Sequence, residues 1–386
     1  MKLLEALFLE RLNRFVVKVK INEKIEFAYL PNPGRLWELL LPGRPLLLTK
    51  NLKGKYPYTV IACKLNDYPV LLHTHLTNHY IIKLLEKRKL PFFNNFKLLK
   101  KEPMASKGRL DLLLEDPLRG TKLYLEIKTC TLFGEKLAMF PDAETQRGTK
   151  HLYELLNLKE MGYEAACIFA VMSPEVKYFL PAYHIDPNFT KAFLETYGKI
   201  QFEAFSIRFS SDLEEIEEIK RLIIPIEFLK QEFGNSGAYL IIFQLNEDSL
   251  IEIGSLGKIE FKKGFYIYVG SGRRNLRERV KRHLTKKNKK KKWHIDYFSE
   301  KAEPFKAITI VSSEKLECLL ARDLLKIADN LVLSFGSSDC ECPSHLFYFK
   351  ENPLYLESFI KILNYYRLER PVEKLEKTFM PTVTIC

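Results

Sequence analysis

The sequence predicts a multidomain chain that mixes α/β and α+β architecture, and three observations carry that expectation. Its 386 residues exceed one hydrophobic core and favour two or three domains of about 150 residues. Short strand-like segments broken by Pro and Gly crowd the N-terminus, as in a small barrel or meander. After them strands and helices alternate, which is the order of an α/β layer. A content of 46% hydrophobic and 12% aromatic residues excludes a disordered chain.

In chain order, residues 14–20 and 26–30 read as strands, broken by Pro31-Asn32-Pro33-Gly34. Pro42-Gly43 leads into another strand over 45–49. A helix follows over 78–89, then strands near 110–115 and 122–128, a helix near 148–161 and a strand at 165–171. The acidic stretch 212–220 spaces Leu213, Ile216 and Ile219 as a helix would, and Pro225 and Gly234-Asn235-Ser236-Gly237 follow it. The chain is therefore expected to divide there. Beyond, 237–243 and 264–270 are aromatic, β-branched strands bounded by glycine, and Asn275 is placed to cap a helix over 276–284. Residues 351–386 read as a helix and a tail without assignable chemistry.

Lys and Arg number 61 against 48 Asp and Glu, a net charge of +13, which points to a polyanionic partner. Residues 273–292 hold twelve of these basic side chains and one acid, Glu278. The run reads as a nucleic-acid-binding edge, with a solvated surface loop as the competing reading. Met1-Lys2-Leu3-Leu4-Glu5 puts an acid where a signal peptide keeps its apolar stretch, and no apolar run reaches the ~18–20 residues of a membrane span. A cytoplasmic protein without a membrane partner is expected. The seven cysteines, odd in number and scattered, are expected to be reduced.

Period-2 alternation along 124–128 puts Glu126 and Lys128 on one strand face and Leu125 and Ile127 on the other. With Asp111 beside them, two carboxylates can hold a divalent ion that needs hard oxygen ligands, and Lys128 can position water or stabilise charge at a phosphate. The competing reading is an ion pair on a solvent-facing edge strand. Downstream, Arg147 and His151 stand i and i+4 on one helix face, near Asp142 and Lys150. They face a phosphate, or else Arg147 pairs with Glu144 and His151 caps a core.

Residues 13–15, 31–35, 56–59, Lys101-Glu102, 108–111, 124–132 and 140–155 resemble, in this order, the signature segments of the sugar fermentation stimulation protein A family. The resemblance implies an OB-like barrel joined to a PD-(D/E)XK nuclease-like α/β domain that binds DNA. It implies that Lys128 is catalytic, that Asp111 and Glu126 hold Mg²⁺ or Mn²⁺, and that Glu102 is a further metal ligand. Arg14, Asn32, Arg35, Arg147, Lys150 and His151 would then face nucleic acid, DNA rather than RNA. Two departures, Pro33 where the family usually has Thr and Gly108 where it has Ser, leave the carboxylates untouched.

On the helix expected over 276–284, Leu276, Arg279, Val280 and His283 share a face. Inward packing of Leu276 and Val280 turns Arg279 toward the sheet, where a guanidinium needs an anion. Gly237-Ala238-Tyr239 and Tyr268-Val269-Gly270 resemble the two name-giving motifs of the GIY-YIG nuclease superfamily. The resemblance implies Tyr239 as base or relay, Tyr268 as its support, Arg279 as the group that neutralises phosphate charge, and Glu317 as a metal-binding acid. Many relatives carry that acid five residues later, where this chain has Arg322. Gly257 with residues 268–271, 293–296 and 335–346 resembles an uncharacterised branch of the superfamily. Lys289, Lys290, Lys291, Lys292 and His294 would bind nucleic acid. Cys340, Cys342 and His345, with His294 or His283 as a fourth ligand, offer a zinc site, but C-x-C-x₂-H is not common zinc spacing, and reduced thiols are the favoured reading.

The expected divisions are an OB-like barrel over 1–76, a nuclease-like domain over 77–208, a linker helix over 209–233, a GIY-YIG-like α/β domain over 234–350 and a helical tail over 351–386. The expected function is a divalent-metal-dependent nuclease with a second nuclease-like, nucleic-acid-binding domain. A non-catalytic DNA-binding regulator is the alternative, and a zinc-stabilised interaction module is a third class.

Overall fold

The computed structural model describes residues 2–51, 54–105, 108–285 and 291–379. The chain forms two compact units: one runs to Ile226 and takes up the chain again from Val372, and the other is Glu227–Pro371.

The first unit opens with β1 (Leu4–Asn13), β2 (Val16–Ile21), β3 (Lys24–Tyr29), β4 (Pro45–Lys50), β5 (Tyr58–Leu65) and β6 (Tyr68–Leu71). They form a sheet in the order β3-β2-β1-β4-β5-β6, and a parallel pairing of β3 with β5 closes it into the OB-like barrel. Register shifts along β1 bend the strand as closure requires. Phe8, Val17, Val19, Ala28, Leu46 and Leu48 fill the interior. Arg11 donates to the carbonyls of Asn32, Gly34, Arg35 and Arg14, which pins the 32–35 loop.

The unit continues with α1 (Thr74–Glu86), β7 (Lys97–Lys101), β8 (Leu112–Asp116), β9 (Thr121–Cys130), β10 (Leu132–Phe133), β11 (Leu137–Phe140), α2 (Gln146–Glu160), β12 (Glu164–Val171), β13 (Tyr178–Pro181), α3 (Pro187–Thr196), β14 (Gln201–Phe209) and β15 (Ile216–Arg221). The main sheet has the order β15-β14-β12-β9-β8-β7, with β9, β12 and β14 mutually parallel. Parallel strands joined by helices are covered on both faces, and β12 is accordingly buried from Ala165 to Val171. Thr145 caps α2 by accepting from the Gly148 amide, and Asp186 caps α3 by accepting from Phe189.

The helix expected over 209–233 is only in part a helix. Residues 216–221 are β15, antiparallel to β14, and a turn held by Ser210 and Asp212 precedes it. Ile219 faces Ile207 and Ile216 faces Phe209, so a bulge between them spaces two same-face residues by three. That spacing imitates a helix while serving a strand.

The second unit contains α4 (Ile226–Glu232), β16 (Gly237–Leu245), β17 (Ser249–Glu252), β18 (Lys258–Phe261), β19 (Gly264–Gly272), α5 (Leu276–Leu284), α6 (His294–Phe298), β20 (Glu303–Val311), α7 (Glu317–Leu325), β21 (Asn330–Leu331), β22 (Leu346–Phe349) and α8 (Glu357–Asn364), before α9 (Arg370–Phe379). Its sheet has the order β20-β16-β19-β22-β21 and is antiparallel throughout. Gly237 starts β16 at φ +140°, where a Cβ would lie 2.1 Å from the Ile310 carbonyl oxygen, so only glycine lets β20 approach. The expected tail divides between the units: α8 lies in the second, whereas Glu376 of α9 pairs with Lys136 at 2.9 Å in the first. Among the described residues no helix is long and apolar enough to cross a membrane.

Candidate functional site

In the first unit β9 lies between β8 and β12, and Glu126 is 3% exposed, so the ion pair is internal and not on an edge strand. Asp111 directly precedes β8. Its Oδ1 accepts from Asn78 Nδ2 at 2.8 Å and its Oδ2 from the Ile127 amide at 2.7 Å. Glu126 Oε1 accepts from Lys128 Nζ at 2.5 Å and lies 2.5 Å from His151 Nδ1, whereas Glu126 Oε2 is buried without a hydrogen-bond partner among the described residues. Arg147 Nε donates to His151 Nε2 at 3.3 Å, so Arg147 and His151 share a face without Glu144. A cavity of about 350 Å³ collects Asp111, Glu126, Lys128, Arg147, Asp142 and Arg14.

Burial, then the charge of Glu126, pushes the Asp111 carboxyl up to about 6. Burial acts on Glu126 in the same direction, but Lys128 and His151 outweigh it and hold its carboxyl below the usual value. The pair thus combines a reluctant carboxylate with a charged one.

Other expected residues are placed unevenly. Arg14 reaches the cavity rim and donates to the Pro33 carbonyl. Asn32 lines the cavity, yet its amide serves the backbone, donating to the Leu72 carbonyl and accepting from Gly34. Arg35 stacks on Trp37, 5.2 Å from the ring centroid, and neither it nor exposed Lys150 lines the cavity. The Glu102 amide donates to the Asp111 carbonyl at 2.8 Å, but its carboxylate, 73% exposed, lies 3.8 Å from Arg109 and does not line the cavity. Asn78, which orients Asp111, has no signal in the sequence beyond its place near a helix start.

In the second unit β16 pairs with β19 so that Tyr239 faces Gly270 and Ile241 faces Tyr268, which puts both tyrosines on one sheet face. A Cβ at position 270 would lie 2.3 Å from the Tyr239 ring, so the glycine is where the ring lies down. The two rings stand 6.3 Å apart, and buried His283 of α5 lies 5.7 and 5.9 Å from them. Leu276 and Val280 pack inward as expected, and Arg279 Nη1 donates to the Ser271 carbonyl at 2.9 Å. Arg282, not Arg279, pairs with buried Asp296, at 2.7 Å; among the described residues Arg279 has no carboxylate within ion-pair distance.

Glu317 opens α7, accepts from Ser271 Oγ and stands 3.4 Å from His345 Nδ1. Burial would raise its carboxyl, but His345, Ser271 and the Arg279 charge together hold it low. Burial, Glu317 and the neighbouring phenol push Tyr268 well up, and burial with Glu317 does the same for Tyr239. Tyr239, Tyr268, Arg279, His283, His294 and Glu317 line one cavity of about 280 Å³ with Lys292, whereas Arg322 is exposed on α7. His294 Nδ1 accepts from the Gly336 amide at 3.1 Å. Lys291 pairs with Glu300 at 2.8 Å, and Lys289 and Lys290 lie outside the described residues. Neither His294 nor His283 joins Cys340, Cys342 and His345; the group beside them is Cys318.

Comparison with known proteins matches three segments of the chain. Family models match the SfsA N-terminal OB domain over 9–72, the sugar fermentation stimulation protein RE domain over 75–213, and DUF123, a domain of unknown function, over 238–367. The sugar fermentation stimulation protein homolog of Clostridium botulinum (strain Langeland) is 38% identical over 192 residues, 49% of this chain and 83% of the relative. The homolog of Methanothermobacter thermautotrophicus is 35% identical over 191 residues, 49% of this chain and 79% of the relative. The solved structure of Pyrococcus furiosus SfsA in complex with Ca²⁺ matches with a TM-score of 0.53 and 31% identity, covering 58% of this chain and 96% of that one. With its barrel and nuclease-like layer matched by relatives over most of their own length, and a DUF123 domain following, the chain belongs to the sugar fermentation stimulation protein family.

Proposed function

We propose that the chain is a divalent-metal-dependent nuclease that cleaves phosphodiester bonds of DNA, and that its GIY-YIG-like unit is a second site directed at the same bonds. The observation that carries this reading is Asp111, Glu126 and Lys128 in one cavity, with Glu126 Oε2 buried and, among the described residues, without a partner. A buried charged oxygen without a partner is costly, and a hard cation supplies the partner that the protein does not. The raised Asp111 carboxyl fits the same group, because a cation between two carboxylates removes the repulsion and desolvation that raise it. Asp111 and Glu126 would hold Mg²⁺ or Mn²⁺, which supplies Lewis-acid polarisation of a phosphate and acidifies bound water. The Ca²⁺ named for the Pyrococcus furiosus relative supports an oxygen-ligand site of this kind.

The chain's own groups then have separate tasks. Lys128, anchored on Glu126 Oε1, presents positive charge at the cavity. His151 holds that same oxygen and is held by Arg147, so the carboxylate keeps its second oxygen pointed away from both. Arg14 and Arg147 supply charge at the rim for a phosphate backbone. In the second cavity the raised phenols of Tyr239 and Tyr268 remain protonated at neutral pH, so they orient a phosphate oxygen or water by donating to it. Arg279, lacking a carboxylate partner among the described residues, is available to a phosphate.

The test is incubation of labelled single- and double-stranded DNA and RNA with Mg²⁺, Mn²⁺ or EDTA. DNA cleavage should require the metal and should fall in Asp111→Asn and Glu126→Gln. Undiminished cleavage by both variants refutes the site. Binding without cleavage under every metal makes the chain a DNA-binding regulator instead.

A further inference from the structure

We propose that Cys318, Cys340, Cys342 and His345 bind one structural Zn²⁺, and that this zinc positions Glu317 in the GIY-YIG-like cavity. The zinc site stands by itself, whereas the positioning role rests on reading that cavity as a functional site.

The four ligand atoms lie within 4.8 Å of one another, with Cys340 Sγ 3.4 Å from His345 Nε2. A tetrahedral ion bound by thiolates at about 2.3 Å and imidazole at about 2.0 Å spaces its ligand atoms by about 3.5–3.8 Å. The cluster therefore needs only a small contraction to close on zinc. All three thiols are free, and they gather away from the apolar core, whereas Cys63, Cys130 and Cys167 are each buried singly within it.

The fold explains how they meet. Cys318 is the second residue of α7. The other three come from the chain between β21 and β22, which is folded on itself: Ser344 Oγ donates to the Val332 carbonyl, the Ser334 amide to Pro343, and the His345 amide to Phe335. The C-x-C-x₂-H spacing looks incomplete because the fourth ligand belongs to a different element. Four protein ligands fill a tetrahedron and leave no open position, so the ion is structural.

His345 connects this cluster to the cavity. Its ring is 2% exposed, with Nε2 toward Cys340 and Nδ1 3.4 Å from Glu317 Oε1. Zinc on Nε2 leaves the proton on Nδ1, where it donates to the carboxylate, the usual outer partner of a zinc-bound histidine. Glu317 is then fixed from two sides, by His345 and by Ser271. The same loop carries Gly336, whose Cα region lies against Tyr268, so zinc also secures that wall of the cavity.

The full chain, produced with added zinc and purified under reducing conditions, should contain one zinc per chain by elemental analysis. Cys340→Ser/Cys342→Ser and Cys318→Ser should lose it; Cys318→His should retain it, and Asp111→Asn should be unaffected. Cobalt added to the stripped protein should give the intense visible bands of a tetrahedral thiolate site. Absence of zinc together with absence of those bands overturns the proposal, as does zinc retained by the double serine variant. A mass two hydrogens short with two thiols unreactive identifies a disulfide and also overturns it. For the positioning role, Mn²⁺ binding to the zinc-loaded Asp111→Asn chain, followed by electron paramagnetic resonance, should weaken about tenfold or more when zinc is stripped. Unchanged Mn²⁺ affinity refutes positioning, and no Mn²⁺ binding even with zinc in place refutes the reading of the cavity on which it rests, while the zinc stoichiometry is decided separately.

Discussion

Replacing Asp111 by asparagine should stabilise the metal-free protein at neutral pH, although the carboxylate accepts two hydrogen bonds. Folding raises this carboxyl from 3.8 to about 6. Its folded state therefore binds more protons across that window, and stability falls as pH climbs through it. At 1.36 kcal/mol per unit, the cost reaches about 3 kcal/mol above pH 6 and vanishes below about pH 3. Asparagine removes that cost but accepts less well, which forfeits about 1 kcal/mol. The variant should be about 2 kcal/mol more stable than the parent at pH 7.5 and about 1 kcal/mol less stable at pH 3. The chain has two tryptophans, and Trp37 lies in the first unit. In a Trp293→Phe background its fluorescence reports that unit during urea unfolding in EDTA. A loss of equal size at both pH values would refute the reasoning and make Asp111 an ordinary structural acceptor.

Three further outcomes follow from the second unit. Gly270→Ala puts a methyl 2.3 Å from the Tyr239 ring, so this unit should lose about 1–3 kcal/mol by Trp293 fluorescence in a Trp37→Phe background; unchanged stability would contradict the strand register. Arg279→Ala orphans no carboxylate, so the melting temperature should stay near the parent's while nucleic-acid affinity or cleavage drops; a loss of about 3–5 kcal/mol would mark a structural ion pair. Replacing Lys291 and Lys292 by serine should lower the slope of log affinity against log salt by about 1 for each phosphate left without its lysine. A constant slope would make the run a bystander.

Legibility in the sequence tracks locality. The Glu126 and Lys128 pair can be read because strand periodicity alone sets their common face, and the Tyr239 and Tyr268 motifs because each occupies one short strand. The linker reads wrongly as a helix because bulge spacing and helix spacing coincide at Ile216 and Ile219. Cys318 escapes notice because its partners come from a loop that only the tertiary fold brings to α7. Glu102, Arg35 and Lys150 have the right charge for a site, but composition carries no direction, and their side chains are spent on Arg109, on Trp37 and on solvent.

The two candidate sites should differ in how they respond to pH, which gives a way to assign cleavage to a unit. In the first, a proton would compete with the proposed metal for Asp111, whose carboxyl is pushed up to about 6. Below that value apparent metal affinity should fall about tenfold per pH unit, because one proton leaves for each metal bound. In the second, Glu317 is held below the usual carboxylate range and stays charged throughout that window. Cleavage at limiting Mn²⁺ should therefore rise steeply between pH 5 and about 6.5 in Arg279→Ala, which leaves the first site intact. Any activity that survives in Glu126→Gln should be nearly flat over the same range, because the remaining acid has already lost its proton. A flat profile for Arg279→Ala would mean that Asp111 does not titrate against the metal, and the cation would then have to be held without it.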